Sequence, residues 1–441
     1  MLFVNCLQPS DDPVTRKSKA ATDASGKSLI LPIRVGPESA THQLRGGNKI
    51  IIDAIGGVTD IVEAMHRTIS GLTPILGKTP AGSTRGITGM VYSSVRGVTQ
   101  AVGAGLDLAF KQLTPYFNGP AEFPQHEAMS AALNGVFGDY LAATNNPLAI
   151  SMQLRQQGKP LVLEGAKSGK LLVLVHGLCM NDLQWNRERA DHSASHDHGA
   201  ALARDRAYTA IYLHYNSGRH IGSNGKEFSY VLENLIETWP VPITELVIIG
   251  HSMGGLVSRS ACEVAKVEKL VWLRKLNKLF FLGTPHHGAP LERAGGLLDI
   301  LLDVSPYSAP FARLGKVRSA GIKDLRHGTI FGVENRRPAS AVSDGRQAGL
   351  PRGVKCFAIA ATKQAKKQTK KQTKKQAESG AGSRLPSDGL VPVNSALGVH
   401  KERTLSLAIP KSHQHISYGS DHFDLLSSAD VYDQIYRWLE S

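Results

Sequence analysis

The stretch "ITELVIIGHSMGGLVSRSA", residues 243–261, constrains the fold of this chain more than any other. Leu246, Val247, Ile248 and Ile249 form a short, continuous apolar run of the kind that makes a strand buried on both faces. The run ends in Gly250-His251-Ser252-Met253-Gly254, and a helix-like stretch follows at once. A chain that passes from strand to helix through one serine must turn very tightly. Glycines at 250 and 254 relieve the crowding, and the turn lifts the Ser252 hydroxyl off the end of the sheet. The helix behind it presents free N–H groups toward any negative charge that develops there. A strand without a polar face has to be covered from both sides, which calls for a mostly parallel sheet between helices.

Other segments supply that sheet. "KLLVLVHGLCMND" (170–182) reads as a buried strand ending in a glycine turn, and "AYTAIYLHYNSGRHIGSNG" (207–225) as strand then loop. "KEFSYVLENLIETWP" (226–240) reads as a helix stopped by proline. "LNKLFFLGTPHHG" (276–288) and "GVKCFAIAAT" (353–362) read as strands, "RTLSLAIP" (403–410) as a weaker one, and "SADVYDQIYRWLES" as a closing amphipathic helix. In such sheets functional groups gather at the carboxyl ends of the strands.

The first 160 residues have a different texture. Residues 1–45 are polar and aperiodic and read as a flexible arm. Ile51, Ile55, Val58, Val62, Met65, Ile69 and Leu72 share one helix face, and Val91, Val95, Val98, Val102, Leu106, Ala109 and Leu113 share another. With "GKTPAGSTRG" between them they form a helical hairpin. It packs on the main domain or offers a face to a partner or a membrane. The expected division is an arm over 1–45, a helical module over 46–160 and an α/β domain over 161–441.

The formal net charge is +14. Seven lysines fall in "TKQAKKQTKKQTKKQ" (362–376), so half of that charge belongs to one insert. The insert, 362–386, is expected to be a disordered loop: its KKQT repeat has no aromatic residue to stack on bases and no apolar residue to dock in a core. Nucleic acid is therefore not the expected partner. Cys6, Cys179, Cys262 and Cys356 lack metal-ligand spacing and form no disulfide framework. His192, His196 and His198 in "DHSASHDH" match no standard metal site, so no metal or other cofactor is expected. The N-terminus lacks a basic stretch followed by an apolar core, and no apolar run reaches the length of a spanning helix. The cytoplasm is the simplest compartment, with peripheral membrane contact and oligomeric state left open.

Ser252 is a candidate nucleophile. A serine hydroxyl needs a base, and the base needs an orienting carboxylate. In a strand–turn–helix context of this type the acid and then the histidine follow the serine along the chain. Asp388, in the Ser-Asp-Gly turn of "SRLPSDGLVPVNSA", follows a late strand, with Asp421 and Asp424 as competitors. His413, His415 and His422 precede the last helix; His422, ahead of "FDLL", is the first choice and His415 the second. The oxyanion donors would be the N–H groups of Met253 and of Leu178, just after the His176-Gly177 turn. Gly250, His251 and Gly254 build the turn itself. His286 and His287 are left to line the pocket.

"VHGL", "GHSMGG", "GTPHHG", "SDGLVPVNSA" and "HFDLL", in this order, resemble the α/β-hydrolase superfamily, and within it bacterial lipases and esterases and GPI inositol-deacylase-like hydrolases. The resemblance covers about 165–441. It implies hydrolysis of an ester or lipid-like small molecule through an acyl-enzyme on Ser252, with Asp388 and His422 completing a triad. Thioester cleavage, acyl transfer or a purely binding role on the same fold are the alternatives. Residues 289–325 lie where such folds carry a cap, and "LLDILLDV" is apolar enough to shield a lipid chain; an ordinary crossover helix is the alternative.

Overall fold

The computed structural model describes residues 124–164, 168–188, 195–288, 319–331, 349–365 and 386–441. The expected arm, both stripes of the helical hairpin, residues 289–318 of the expected cap and the lysine repeat from 366 to 385 lie outside the described residues.

Helix α1 (Pro124–Ala143) comes first, followed by β1 (Gln153–Gln156), β2 (Lys159–Pro160) and β3 (Lys170–Val175). A small hairpin of β4 (Arg187–Glu188) and β5 (Ser195–His196) precedes α2 (His198–Arg206) and β6 (Thr209–His214). Then come α3 (Ile221–Thr238), β7 (Glu245–His251), α4 (Met253–Glu268), α5 (Trp272–Lys275) and β8 (Leu276–Leu282). The described chain closes with α6 (Ala320–His327), β9 (Lys355–Thr362), α7 (Val393–Ala396), β10 (Gln414–Tyr418) and α8 (Ala429–Glu440).

Among the described residues, eight strands form one sheet in the order β10-β9-β8-β7-β3-β6-β1-β2. From β10 to β6 every pairing is parallel, and β1 and β2 add an antiparallel edge. The inner strands are apolar on both faces, as the parallel arrangement requires, and Phe280, Phe281 and Phe357 are fully enclosed. Helix α8 turns Val431, Ile435, Trp438 and Leu439 inward, the spacing of one helix face. Among the described residues no helix is long and apolar enough to cross a membrane.

Strand order reverses at the centre. From β3 the chain moves to β6 on one side and then to β7 on the other. A crevice opens where neighbouring strands lead their connections to opposite faces, beyond their carboxyl ends. The turns after β3 and β7, His176-Gly177-Leu178 and Ser252, lie at that point.

Three expectations change. The division at 160/161 falls inside the sheet, because β1 and β2 precede it, and α1 shares the hydrophobic core with β3 and β6. Helix α3 begins at Ile221 rather than 226. "RTLSLAIP" pairs with no strand. It opens with a 3-10 turn at Arg403–Leu405, and the last strand is instead Gln414–Tyr418.

Candidate active site

Ser252 has φ 53° and ψ −122°. A non-glycine residue there is strained, and the surroundings must enforce the conformation. They do so from two sides. The Ser252 N–H donates to the Leu282 carbonyl at 2.8 Å, extending the β7–β8 ladder by one bond. Gly254 packs so closely on the end of β3 that a β-carbon would stand 2.2 Å from the Val175 carbonyl oxygen. Only glycine fits there.

Met253 opens α4, so its N–H has no partner within the helix. Across the crevice, a β-carbon on Gly177 would lie 3.2 Å from Cβ of Ser252, which puts the β3 turn directly against the serine. Within that turn the Tyr215 hydroxyl donates to the His176 carbonyl at 2.8 Å, and the two rings stack 4.3 Å apart. Burial pushes the His176 imidazole down to about 3, so it is neutral. Its Nδ1 stands 2.9 Å from the Gly177 carbonyl, an acceptor, and therefore carries the proton.

Asp388 sits after β9 in a turn that its own side chain closes. Oδ1 accepts from the N–H groups of Leu390 at 2.8 Å and Val391 at 2.7 Å. Oδ2 is left for His422, whose Nδ1 lies 2.7 Å away. The two side chains are 0% and 2% exposed. Nε2 of His422 is buried and has no hydrogen-bond partner among the described residues. Gly283, one residue beyond the Leu282 that holds Ser252, would place a β-carbon 3.0 Å from Cε1 of the same ring. One imidazole nitrogen is thus fixed by the carboxylate, and the other has no partner among the described residues.

The competing residues have other partners. His415 lies on β10 with Nε2 2.7 Å from Asp430 Oδ2, and His413 Nδ1 is 3.1 Å from the Cys356 carbonyl. Asp421 and Asp424 cap the turn around His422: Asp421 Oδ1 accepts from Phe423 and Asp424 N–H, and Asp424 Oδ2 accepts from Asp421 N–H. His286 does not line a pocket as expected. It is fully buried, with Nδ1 3.3 Å from Nη1 of Arg259 and its ring edge-on to Phe281. Burial and the neighbouring guanidinium keep it neutral. Of the metal candidates, His192 lies outside the described residues, while Nε2 of His196 is hydrogen-bonded to Nδ1 of His198 at 3.0 Å.

Sequence reading assigned His251 only to the turn. Its Nε2 donates to the His422 carbonyl at 3.2 Å, and the two rings are 4.8 Å apart. Sequence reading also missed Asp182. "NDLQ" after the glycine turn held a signal for it: Asn181 and Gln184 form a reciprocal capping box that fixes the 3-10 turn Asp182–Trp185.

The family model described as a PGAP1-like alpha/beta domain matches residues 166–334. That stretch contains the β3 turn and the Ser252 elbow, the two features that meet at the centre of the sheet. The fold is that of the α/β-hydrolase superfamily. The matched stretch of the hydrolase fold ends before Asp388 and His422 and begins after α1 and β1.

Solved structures to which the chain is similar include a lipase of Bacillus licheniformis in its mature form, 17% identical, which covers 66% of this chain and 97% of its own with a TM-score of 0.40. A lipase-esterase related protein of Clostridium acetobutylicum is 14% identical over 62% of this chain and 95% of its own, TM-score 0.32. The phospholipase PlaB of Legionella pneumophila is 15% identical over 52% of this chain and 44% of its own, TM-score 0.32. The sequence matches no curated protein.

Proposed function

We propose that the protein is a serine hydrolase that cleaves carboxylic esters through an acyl-enzyme on Ser252. The observation that carries this reading is the buried 2.7 Å contact between His422 Nδ1 and Asp388 Oδ2, with Nε2 of His422 unpartnered among the described residues. An imidazole held by a carboxylate on one side and open on the other is a general base, and a serine on a strained elbow is what it would serve.

In the proposed reaction Oγ of Ser252 adds to the ester carbonyl carbon while His422 Nε2 takes its proton. The carbonyl oxygen becomes an oxyanion, bound by the N–H groups of Met253 and Leu178. Removing one such donor costs about 10²–10³ in rate in other enzymes, so their placement carries much of the catalysis. Asp388 keeps the proton on Nδ1 and stabilises the imidazolium. The intermediate collapses, the carbon–oxygen bond to the alcohol breaks, and the leaving alkoxide takes the proton from Nε2. Water then gives a proton to His422, its oxygen adds to the acyl carbon, and the acid leaves as Ser252 recovers its proton. The residues named account for every proton moved.

Carboxylic esters are the substrate class this reading favours. The test is a series of p-nitrophenyl esters of increasing chain length with an acyl-thioester beside them, run on wild type and Ser252→Ala. Turnover that depends on Ser252 and favours esters supports the proposal. Turnover that survives the substitution, or a clear preference for the thioester, overturns it.

A further inference from the structure

The turn that carries Leu178 is held from a side that the matched domain does not supply. Cys179, the next residue, has φ 58°. A left-handed conformation in a non-glycine residue costs on the order of 1 kcal/mol or more, and persists only where neighbours over-determine it. One neighbour is Ser217, whose Oγ accepts from the Cys179 N–H at 3.1 Å. Helix α1 is the other. A β-carbon on its Gly135 would stand 2.2 Å from Sγ of Cys179 and 2.9 Å from its Cα. One turn on, the Gly138 carbonyl accepts from Asn216 Nδ2 at 2.9 Å. The helix therefore lies directly against the backbone of the turn, with no side chain between them.

The far end of the loop is held by charge. Asp182 Oδ1 is 3.3 Å from Nη1 of Arg155 on β1 and 3.1 Å from Nδ1 of His214 at the end of β6. The same Nη1 reaches Oε2 of Glu127 in the first turn of α1 at 3.1 Å. Arg155, Asp182 and His214 are buried. Burial works to raise the Asp182 carboxyl, but His214 and the charge of Arg155 outweigh it, so the group stays ionised. A buried ion pair is a poor source of net stability, because desolvation offsets most of the attraction. What it supplies is a fixed geometry.

We infer that Asp182, clamped by Arg155 and His214, and Gly135 of α1 are positioning residues for the Leu178 N–H, so that residues 124–156 are a working part of the active site. The inference rests on the reading of Ser252 given above. An oxyanion donor must sit within about 0.5 Å of its place when charge develops, whereas the ground-state ester makes little use of it. Loosening the loop therefore lowers kcat and leaves KM nearly unchanged.

Full-length Asp182→Asn and Gly135→Ala test this by different routes. The first removes a charge without changing shape. The second pushes on Cys179 and leaves every charge in place, so it remains informative if the first fails to fold. The readouts are kcat and KM on a short p-nitrophenyl ester, Ki for a trifluoromethyl ketone and the melting temperature. We expect kcat to fall tenfold or more in each folded variant, KM to stay within threefold, and Ki to weaken by the same factor as kcat/KM. Ser252-dependent turnover with unchanged kcat and Ki in both variants overturns this inference alone. A fall in kcat with Ki unchanged also overturns it, because the oxyanion contact would then be intact. Turnover that survives Ser252→Ala overturns the Ser252 reading, and this inference with it.

Discussion

The Nε2–H of His251 donates to the backbone carbonyl of His422, 3.2 Å away. The residue beside the proposed nucleophile thus holds the main chain of the proposed base. Burial and the nearby His422 keep His251 well below the usual imidazole range, so it is a neutral, one-proton donor. His251→Phe keeps most of the packing and removes the donor. A displacement of about 1 Å in a reacting group costs up to about 10²-fold. We expect kcat to fall at least tenfold in His251→Phe and to recover in part in His251→Gln, whose amide can donate. Equal activity in wild type and the Phe variant would show that the bond does not position the base.

Asp388→Asn should be nearly as stable as wild type and almost inactive. Oδ1 already accepts two backbone N–H groups, so the asparagine must keep its oxygen there and turn its NH2 to His422. That NH2 donates to Nδ1 and drives the ring proton to Nε2, where a base must have none. Loss of orienter function by this route costs about 10⁴ in kcat in a comparable site. Steady-state rates and thermal melts on the same preparation check both halves. A loss below tenfold would contradict the tautomer argument.

Much of the candidate site was legible because its local chemistry is unusual. Gly250 and Gly254 around a serine are hard to explain without a strand-to-helix elbow, and Gly254 leaves no room for a β-carbon. Asp388 and His422 are separated by 34 residues and were reached only by their order after the serine; nothing in sequence could show that they touch. Two of the missed strands, "QLRQ" and "QHISY", lie at or near the two edges of the sheet and are largely half-buried, so they need no continuous apolar run. "RTLSLAIP" deceived by alternation. Leu407 and Ile409 do face the core, but the Leu407 N–H bonds to the Gly398 carbonyl in a local loop instead of a neighbouring strand. The Arg155–Asp182–His214–Glu127 cluster draws on four separate segments and has no sequence pattern.

Acid should destabilise the fold through its neutral histidines. His176 is pushed from 6.5 to about 3 by burial. Between those values the unfolded chain binds a proton at this position and the folded chain does not. Stability is therefore fully present above about pH 6.5 and falls as pH drops through the window, by up to about 1.4 kcal/mol per unit for each such group. His176→Gln should flatten the slope of unfolding free energy against pH, measured between pH 6 and pH 4, by close to one proton. An unchanged slope would mean that His176 is charged in the folded state.

Removing the segment ahead of residue 150 should not leave a competent hydrolase core. It would delete α1, and with it Asn134, whose side chain donates to the Leu148 carbonyl and accepts from the Ile150 N–H. It would also strip Met129, Leu133, Val136 and Phe137 from the core. Losing a buried side chain of that size costs roughly 2–5 kcal/mol, a large share of the stability of an ordinary domain. We expect such a chain to be insoluble or to melt far below the full-length protein. A truncation with full-length melting temperature and ester turnover would contradict this.

The central claim is that Ser252 forms a covalent bond during catalysis. The most direct measurement is to react the full-length protein with a fluorophosphonate, digest it and locate the added mass by tandem mass spectrometry. The account predicts a single phosphonylated residue, Ser252, together with complete loss of ester turnover, and no labelling of Ser252→Ala. Labelling at another residue, or ester turnover that persists when Ser252 is fully modified, would contradict it.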